Sequence, residues 1–322
     1  MKKILIVGAG GQIGSELVPH LRSIYGNSNV VAADISAEKC KALAEAGPFE
    51  ELNALDGEGF SAIVKKYNID TIFNLVALLS ATGEKNPKLA WDINIGALTN
   101  SLYIAKDNNC AVFTPSSIGA FGNDTPKDKT PQDTLQRSNT TIYGVCKVTG
   151  ELFSDYYFNR FGVDTRSVRF PGLISYVTLP GGGTTDYAVE IYYDAIRKGS
   201  FTCNVKEGTY MDMMYMPDAL NAVVQLMEAD PSKLKHRNSF NIASMSFEPE
   251  QIAAEIRKHL PDFKMDYQID PVKQAIANSW PNSMDDTCAR EEWGWAPKFD
   301  LTSMTNDMLI KVKEKFDKGL IK

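Results

Sequence analysis

The sequence predicts an α/β fold in which helices cover both faces of a doubly wound parallel sheet. Up to about residue 170, short apolar runs alternate with longer amphipathic segments, which is typical of parallel strands joined by helices. A glycine-rich turn follows the first apolar run directly, as in sheets that bind dinucleotides. After Pro171 the alternation fades. We therefore expect a Rossmann-type domain over residues 1–170 and a smaller, mainly helical substrate lobe over 171–322, with the chain free to cross back between them.

The apolar and amphipathic segments give the order of the elements. Six apolar runs are the predicted strands: residues 4–7, 30–33, 49–52, 71–76, 111–114 and 163–170. Five amphipathic segments between them are the predicted helices: residues 12–24, 37–46, 60–67, 87–106 and 142–161. The segment 121–140 is rich in Asn, Asp, Pro, Lys and Thr, which indicates a long functional loop. The elements predicted for the second lobe are helices over 187–198, 217–227, 248–259 and 302–316 and a short strand over 238–242.

Composition and charge exclude several classes of protein. The 322 residues carry a formal net charge of −6, so nothing favours the binding of nucleic acid. The first apolar run stops at Gly8 and is too short for a signal-peptide core or a membrane span. Five scattered cysteines and three separated histidines form neither a disulfide framework nor a zinc-ligand pattern. We expect a cytoplasmic protein with no metal, no membrane contact and no nucleic-acid partner.

The turn after the first strand has the pattern of a dinucleotide phosphate site. Gly8, Gly11 and Gly14 follow the spacing GxxGxxG around Gln12 and Ile13, where a helix opens. Glycine lets the backbone approach a pyrophosphate, and the helix N-terminus supplies amide donors and partial positive charge. A plain strand–helix turn is the alternative interpretation, and the residues that follow argue against it.

The second predicted strand ends in the acidic residue that such a site needs. Asp34 stands about twenty residues beyond the last glycine, where a carboxylate binds the ribose diol of the adenosine. No Arg or Lys stands directly beside Asp34 to accept a 2′-phosphate, which favours NAD over NADP. A solvent-exposed aspartate at a strand end is the alternative. With the glycine turn, Asp34 predicts NAD as the cofactor.

A tyrosine–lysine pair supplies candidate proton-transfer chemistry. Tyr143 and Lys147 stand four residues apart in a predicted helix, so their side chains share one face. A phenol is a weak base at neutral pH, but a nearby ammonium and the positive nicotinamide ring favour the phenolate. Taken alone, the pair is first interpreted as two side chains on the surface of a helix. Ser116 and Ser117 follow the fifth predicted strand, however, and a hydroxyl there can hydrogen-bond the reacting oxygen.

These motifs resemble those of the extended short-chain dehydrogenases/reductases, the group that includes UDP-galactose 4-epimerase, over nearly the full length of the chain. The places that carry the resemblance are Gly8, Gly11, Gly14, Asp34, residues 74–77, Asn94, residues 116–122, Tyr143, Lys147 and residues 169–172. It implies an NAD-dependent oxidoreductase in which Tyr143 and Lys147 are the catalytic pair.

The resemblance also implies further site residues. The positions expected to line the cofactor are Leu52, Asn53, Leu75, Ala77, Asn94 and Pro171, and Asn94 is expected to buttress the site as well. The catalytic hydroxyl in such enzymes usually lies five residues before the glycine of an aromatic–glycine pair, here Ser117 before Gly122, while Ser116 stays open. Two positions depart mildly from the pattern: Asn74 replaces a frequent His, and Asn53 stands where an Asp often contacts adenine.

The part of the chain after the sheet is similar to one group in that family, the short-chain-type L-threonine 3-dehydrogenases. The segments that carry this similarity are 180–190 (PGGGTTDYAVE), 213–218 (MMYMPD) and 278–281 (NSWP). The similarity implies oxidation of L-threonine to 2-amino-3-oxobutyrate with NAD, as a step of threonine catabolism, by a homodimer.

Several residues then become candidates for the substrate side. A glycine-rich loop carrying Thr184 and Thr185 can close over a small polar substrate. Alternatively, one threonine caps the helix that follows and leaves the other for the ligand. Trp280 suits an aromatic lid and is otherwise a core residue, and Ser80 is a candidate donor to the substrate carboxylate or amine. The candidate substrate contacts are Ser80, Ser116, Tyr143, Thr184, Thr185 and Trp280.

Two other functions compete with this one. A nucleotide-sugar epimerase or dehydratase must bind a diphosphate with basic residues, and Arg197, Arg257 and Arg290 lie in ordinary helical contexts. A dehydratase also needs an acidic residue beside the catalytic hydroxyl, which residues 117–119 do not offer. A non-enzymatic, dinucleotide-sensing regulator typically lacks an intact Tyr/Lys pair, so Tyr143 and Lys147 argue against it.

Overall fold

The predicted strands of the first half form one large parallel sheet. A computed structural model describes residues 1–134, 140–179 and 181–321. Its strands are β1 (Ile4–Val7), β2 (Val30–Asp34), β3 (Phe49–Glu51), β4 (Thr71–Asn74), β5 (Ala111–Phe113), β6 (Ser116–Ser117), β7 (Thr165–Arg166), β8 (Val168–Phe170), β9 (Gly172–Ile174), β10 (Ser200–Cys203), β11 (Met211–Tyr215), β12 (Phe240–Asn241), β13 (Met245–Phe247) and β14 (Lys264–Tyr267). The large sheet has the order β3-β2-β1-β4-β5-β7, and its paired strands are parallel. The chain turns back between β3 and β4, so a crevice opens at the carboxyl ends of β1 and β4.

Helices connect the strands and make up much of the second half. They are α1 (Gly14–Tyr25), α2 (Lys41–Ala46), α3 (Gly57–Tyr67), α4 (Ser80–Gly83), α5 (Pro87–Asn108), α6 (Ile142–Phe161), α7 (Tyr187–Lys198), α8 (Met216–Glu228), α9 (Pro249–His259), α10 (Pro271–Ser279), α11 (Thr287–Trp293) and α12 (Leu301–Asp317). Helices α6 and α7 have the bounds that the sequence predicts. Among the described residues, no helix combines the length and the apolar character needed to cross a membrane.

Both faces of the large sheet are buried, as the continuous apolar strands predict. In β1, Ile4 and Ile6 belong to a hydrophobic cluster with Leu17 of α1. Leu5 and Val7 of β1 face a second cluster, which contains Phe60 of α3 and residues of α5. Because successive side chains of a strand point to opposite faces, this alternation places helices on both sides. The doubly wound α/β fold is confirmed.

The run 163–170 is not the single strand that its apolar pattern predicts. It divides into β7, which pairs with β5 in the large sheet, and β8, which pairs with β6 and β12 in a separate three-stranded sheet. The division lies at Ser167, whose N–H donates to the Arg237 carbonyl and whose Oγ accepts from the Ser116 N–H. These cross-links to another segment move the chain out of the first ladder.

The second half builds its own core and also returns to the first. One hydrophobic cluster joins α7, α9 and α12 around Tyr187, Tyr192 and Met308. Helix α8 instead packs in the cluster of β1 and α1, and β12 pairs with β8. The chain therefore crosses back between the two parts, while the domain boundary at residue 170 stays a prediction. The short strands β9, β10, β11, β13 and β14 and the helices α10 and α11 were not predicted.

The predicted long loop approaches the end of the chain. Its residues 135–139 lie outside the described part of the chain. Thr130 forms an isolated parallel bridge with Met284 and donates its N–H to the Ser283 carbonyl. Lys127 Nζ donates to the carbonyls of Asn278 and Trp280 at 2.7 and 3.0 Å. The loop thus holds the segment that carries Trp280.

Candidate active site

The glycine turn lies at the end of β1, where only glycine fits. Gly8 has φ +86°, and a Cβ at Gly14 would stand 2.4 Å from the Gly8 carbonyl oxygen. Helix α1 begins at Gly14 with Ile13 at the N-cap position, and no described side chain caps it. Ser15 N–H donates to the Gly11 carbonyl at 2.9 Å, so the helical hydrogen bonding already starts within the glycine turn, and a helix N-terminus with no side-chain cap suits an anion. The turn therefore has the shape and polarity of a pyrophosphate cradle.

Asp34 is held beside this turn by two backbone amides. Its Oδ2 accepts from Gly10 N–H at 2.9 Å, and its Oδ1 accepts from Ser36 N–H at 3.0 Å. A Cβ at Gly10 would lie 3.2 Å from both Asp34 Oδ2 and Lys39 Cβ, so Lys39 lies near the carboxylate, which adjacency in the sequence did not reveal. Leu52 N–H donates to the Asp34 carbonyl at 2.9 Å.

The turn after β4 is clamped by Asn94. The Asn94 side chain accepts from Leu78 N–H at 2.7 Å and donates to the Leu78 carbonyl at 3.2 Å, which fixes the two peptide groups on either side of Leu78 Cα. Asn74, at the end of β4, accepts from Val76 N–H at 3.3 Å, while its Nδ2 is buried without a partner among the described residues. The clamp holds the turn that brings Leu75 and Ala77 to the cleft wall.

Tyr143 and Lys147 lie in the first turns of α6 and face the same cleft. Thr141 caps this helix by accepting from Gly144 N–H at 3.0 Å. Lys147 Nζ stands 5.2 Å from the ring centroid of Tyr143 and donates to the Pro115 carbonyl at 2.5 Å. The ammonium is thereby fixed next to the phenol ring, as the spacing of four residues predicts.

The two serines of β6 have different partners. Ser117 Oγ accepts from Gly119 N–H at 3.1 Å, so its proton remains to be donated. A Cβ at Gly119 would lie 3.2 Å from Tyr143 Cε1 and 3.4 Å from Ser117 Oγ, which places this hydroxyl near the tyrosine ring. Ser116 Oγ instead donates to Glu151. Glu151 is buried and forms an ion pair with Arg169 at 2.9 Å.

The candidate substrate residues meet in the same cleft as Tyr143. Ser80 and Thr184 are both buried, and their hydroxyl oxygens lie 3.4 Å apart. Thr185 packs its methyl group at Gly172, where a Cβ would overlap it at 2.7 Å. Trp280 is 6% exposed, and its indole Nε1 is buried with no partner in the described part of the chain. Trp280 is thus a wall of the cleft packed into the core.

Neither threonine caps α7, contrary to the alternative drawn from the sequence. Asp186 occupies the N-cap position, and among the described residues no side chain makes a cap hydrogen bond there. The Asp186 carboxylate points back along the chain and accepts from Gly182 and Gly183 N–H at 3.0 and 2.7 Å. Burial raises its pKa to about 6, against the lowering effect of those two amides.

Asp186 is a site residue that the sequence argument missed. It lies on the cleft wall with Thr184 and Thr185, directly after them in the chain, and its position next to a glycine run was the available signal. Aspartates are common at helix N-caps, where they have no catalytic or binding role. The sequence pattern alone therefore did not distinguish Asp186 from an ordinary N-cap residue. A buried carboxylate with a raised pKa in a cleft is a candidate functional group.

The cleft itself spans ≈ 810 Å³, counted to its open mouth. The predicted residues that line it are Gln12, Ile13, Leu75, Ala77, Ser80, Ser116, Ser117, Tyr143, Lys147, Pro171, Thr184, Thr185 and Trp280. The remaining predicted residues are not part of this cleft wall: the glycines and Asp34 at the ends of β1 and β2, Leu52 and Asn53 after β3, and Asn94, which clamps the turn after β4. Asn53 Oδ1 accepts from Leu55 N–H at 3.0 Å.

A group with metal-ligand atoms lies away from the cleft. Within the described ranges, His236, Cys288 and Glu292 bring one ligand atom each to within 4.8 Å of one another. His236 Nδ1 is already hydrogen-bonded to Glu292, whose other oxygen accepts the Lys235 N–H at 2.6 Å. These contacts account for the grouping without an ion. The absence of a metal stays a prediction.

Comparison with known proteins adds to this geometry. The chain matches the model of the NAD dependent epimerase/dehydratase family over residues 4–243. An uncharacterized epimerase/dehydratase of Staphylococcus haemolyticus (strain JCSC1435) is 58% identical over 315 residues, which are 98% of this chain and 99% of that protein.

Two solved structures are similar over nearly their whole length. An L-threonine dehydrogenase from Clostridium difficile has a TM-score of 0.96 at 57% identity, with 98% of both chains covered. A monomeric L-threonine 3-dehydrogenase from a metagenome database, in its apo form, has a TM-score of 0.92 at 43% identity, with 97% of this chain and 99% of that chain covered.

Proposed function

The chain belongs to the NAD-dependent epimerase/dehydratase family and is an NAD-dependent dehydrogenase, and on this premise we propose that it oxidises the 3-hydroxyl group of L-threonine to 2-amino-3-oxobutyrate. The observation that carries the proposal is the meeting of Tyr143, Lys147 and Ser117 with Ser80 and Thr184 in one cleft. Proton-transfer groups and small-substrate hydroxyls share a single space there. The threonine dehydrogenase activity of a solved relative supports the choice of substrate.

The residues present fit NAD as the cofactor. A Cβ would fill the cradle at Gly14, helix α1 is uncapped within the described residues, and Asp34 is held beside the turn by the Gly10 amide. We assign the pyrophosphate to the N-terminus of α1 and the adenosine ribose to Asp34. When bound, NAD supplies the acceptor for the hydrogen that leaves C3 with two electrons.

The chain's own groups handle the proton. Tyr143 takes the proton of the 3-hydroxyl as its general base, and Lys147, with Nζ 5.2 Å from the ring centroid, stabilises the phenolate electrostatically. Ser117 donates its hydrogen to the reacting oxygen, because Oγ already accepts from Gly119 N–H. Ser116 is assigned a supporting role through Glu151.

The ammonium and carboxylate of threonine have candidate partners in the cleft. The carboxylate of Asp186 is the acidic group beside Thr184 in the cleft, and it suits the substrate ammonium. Ser80 and Thr184, with oxygens 3.4 Å apart, offer hydroxyl donors to the substrate carboxylate. Trp280 covers the apolar methyl group of the substrate with its ring.

The surroundings of the cleft give less support to the epimerase alternative. Among the described residues the three arginines considered for a diphosphate are not part of the cleft wall. Arg257 pairs with Glu250 at 3.2 Å and Arg290 with Asp286 at 2.8 Å. Arg197 lies in the last turn of α7. A sugar nucleotide would therefore meet hydroxyls rather than cations on the substrate side.

We also propose that the protein is a homodimer in the cytoplasm. Exposed apolar side chains cluster on α5 and α6, where Tyr103, Leu152, Tyr156 and Phe161 are 40% or more exposed. Such a patch usually marks an interface. The five cysteines are all free thiols, which fits a reducing compartment. Leu152→Glu should convert a dimer to a monomer in light scattering, and a wild-type mass equal to one chain would rule out the dimer.

The function is tested by substrate profiling together with Tyr143→Phe. NAD reduction is measured with L-threonine and other hydroxy amino acids, and UDP-sugars are assayed by chromatography of their products, because epimerisation or dehydration leaves no net NADH. We expect turnover with L-threonine, and for Tyr143→Phe a fall in kcat of about two orders of magnitude or more with NADH affinity unchanged. Turnover of a UDP-sugar instead of L-threonine would overturn the substrate, and near wild-type kcat in the variant would remove Tyr143 from the mechanism.

A further inference from the structure

A short irregular segment, residues 175–178, lies between two parts of the cleft. Before it is β9, next to the residues assigned to the cofactor, and after it is the loop with Thr184, which is assigned to the substrate. The segment follows β9, whose Leu173 lines the cleft, and it precedes the glycine-rich loop that carries Thr184. The segment belongs to no strand or helix, so its backbone groups need partners from elsewhere. The partners come from three separate helices.

The first partner is a lysine near the C-terminal end of α12. Lys315 Nζ donates to the Tyr176 carbonyl at 2.6 Å and to the Val177 carbonyl at 2.7 Å. Burial lowers the pKa of Lys315, so placing an ammonium there is unfavourable by itself. Two charge-assisted hydrogen bonds to neighbouring carbonyls offset this cost and fix the orientation of both peptides.

The other partners lie on α7 and on the cofactor helix α1. Tyr193 OH of α7 donates to the same Tyr176 carbonyl at 2.6 Å. In the first turn of α1, Ser15 Oγ lies 3.0 Å from Thr178 Oγ1, and Glu16 accepts from the hydroxyl of the buried Ser175. The segment is therefore fastened on one side to the helix that begins at the pyrophosphate cradle.

From these contacts we propose that Lys315 is a positioning residue for substrate binding, acting through the Tyr176 and Val177 carbonyls on the loop that presents Thr184. The proposal rests on the assignment of that loop to the substrate. Lys315 does not line the cleft, so it touches neither substrate nor cofactor there. Its effect arises because a small displacement of a positioning group weakens oriented binding.

The contacts predict which property depends on Lys315. The cofactor cradle is built by Gly8, Gly14 and the start of α1. Gly8 N–H donates to the Ala33 carbonyl at 2.9 Å and Gly11 N–H to the Gly8 carbonyl at 3.2 Å, and neither hydrogen bond involves Lys315. The glycine loop is held at Asp186 and by the contact of Thr184 with Ser80, and its N-terminal end continues from the segment 175–178. Loss of the Lys315 contacts should thus raise the KM for L-threonine and leave NADH affinity unchanged.

The test uses Lys315→Met, which keeps an apolar stem of similar length, with Lys315→Arg as the conservative variant. Lys313→Met is the matched control, because Lys313 lies on the same helix and pairs with exposed Asp317 at 3.0 Å. KM and kcat for L-threonine, the Kd of NADH and the melting temperature are measured for each. Hydrogen exchange of amides 175–186 gives a readout that needs no substrate.

We expect Lys315→Met to raise KM by about five-fold or more, with faster exchange at 175–186, and Lys315→Arg to restore most of both. Unchanged exchange at 175–186 in Lys315→Met overturns the positioning role, as does a parallel loss of NADH affinity and melting temperature. A wild type that does not oxidise L-threonine overturns the proposed function instead, and the exchange result still decides the role of Lys315.

Discussion

The hydroxyl of Ser116 donates its hydrogen bond to the buried carboxylate of Glu151, so we expect that it does not serve as the substrate donor. Ser117, its neighbour in β6, is oriented by Gly119 N–H and keeps its own proton available. Both serines line the cleft, but the proton of Ser116 is donated to Glu151 while that of Ser117 remains for a ligand. We therefore expect Ser117 to be the donor to the reacting oxygen.

Ser117→Ala should therefore lower kcat for L-threonine by about 100-fold, the usual loss when one donor to a reacting oxygen is removed. Ser116→Ala should lower kcat far less. It should instead cost about 1–2 kcal/mol of unfolding free energy, because Glu151 loses one of its buried donors. Steady-state kinetics and chemical denaturation of both variants check this. Equal kinetic losses would mean that the two hydroxyls are not divided in this way.

The sequence predicted the framework of this site better than its side-chain directions. Helices α6 and α7 have the predicted bounds, and each ends at a glycine in the left-handed conformation, Gly162 and Gly199, which is a local signal. The break of 163–170 into β7 and β8 depends on Arg237, some seventy residues away. Contacts of this range leave no local pattern.

In the site too, local patterns predicted some residues, while others depend on contacts with distant parts of the chain. Glycine spacing and the interval from Tyr143 to Lys147 are local rules, and Gln12, Ile13, Tyr143 and Lys147 do line one cleft. The partners of Ser116 and Lys315 lie far along the chain. The carboxylate of Asp186 is a local case that was still missed, because it binds amides before it in the chain instead of capping the helix after it.

Cofactor preference tests the assignment of Asp34. A carboxylate held at the ribose position should repel the 2′-phosphate of NADP, so we expect a clear preference for NAD in kcat/KM. Asp34→Ala should reduce the ratio of kcat/KM for NAD to that for NADP, chiefly because NAD binding becomes weaker. Lys39 lies beside Gly10 and Asp34, and Lys39→Met in the Asp34→Ala background should reduce any gain for NADP. Comparable kcat/KM for both cofactors in the wild type would contradict the assignment.

The proposed substrate wall, formed by Thr184, Thr185 and Trp280, is tested by two isosteric changes and one truncation. Thr184→Val removes a buried hydroxyl near Ser80 without changing volume, and it should lower kcat/KM for L-threonine by about ten-fold or more. Thr185→Val should have a smaller effect, because the methyl group of Thr185 packs at Gly172. Trp280→Ala should raise KM or lower kcat while NADH binding stays intact. Wild-type kinetics in all three variants would leave the wall purely structural.

We expect the negative charge of Asp186 to lower the stability of the fold and to favour binding of the substrate. Burial raises its pKa to about 6 from the ordinary 3.8, so the folded protein holds this proton more tightly than the unfolded chain. The resulting stabilisation is complete below pH 3.8 and is lost as pH rises through about 6. The difference corresponds to at most about 3 kcal/mol, since one pKa unit is about 1.4 kcal/mol.

Asp186→Asn cannot ionise, while its amide oxygen can still accept from Gly182 and Gly183. Relative to the wild type, the variant should therefore gain unfolding free energy, by about 2–3 kcal/mol, between pH 4 and pH 8. Its KM for L-threonine at pH 8 should rise, because the charge assigned to the substrate ammonium is gone. Denaturant titrations at the two pH values and steady-state kinetics measure both effects.

Asp300→Asn gives a control of opposite sign. Asp300 caps α12, and hydrogen bonds from Ser303 lower its pKa. Its stabilisation is present above the ordinary pKa and is lost as pH falls, so Asp300→Asn should lose stability relative to the wild type at pH 8 and less at low pH. If Asp186→Asn follows the trend of Asp300→Asn, the Asp186 carboxylate stabilises the fold as an anion. If it follows the opposite trend and KM rises, the buried charge is kept at a cost to stability because substrate binding needs it.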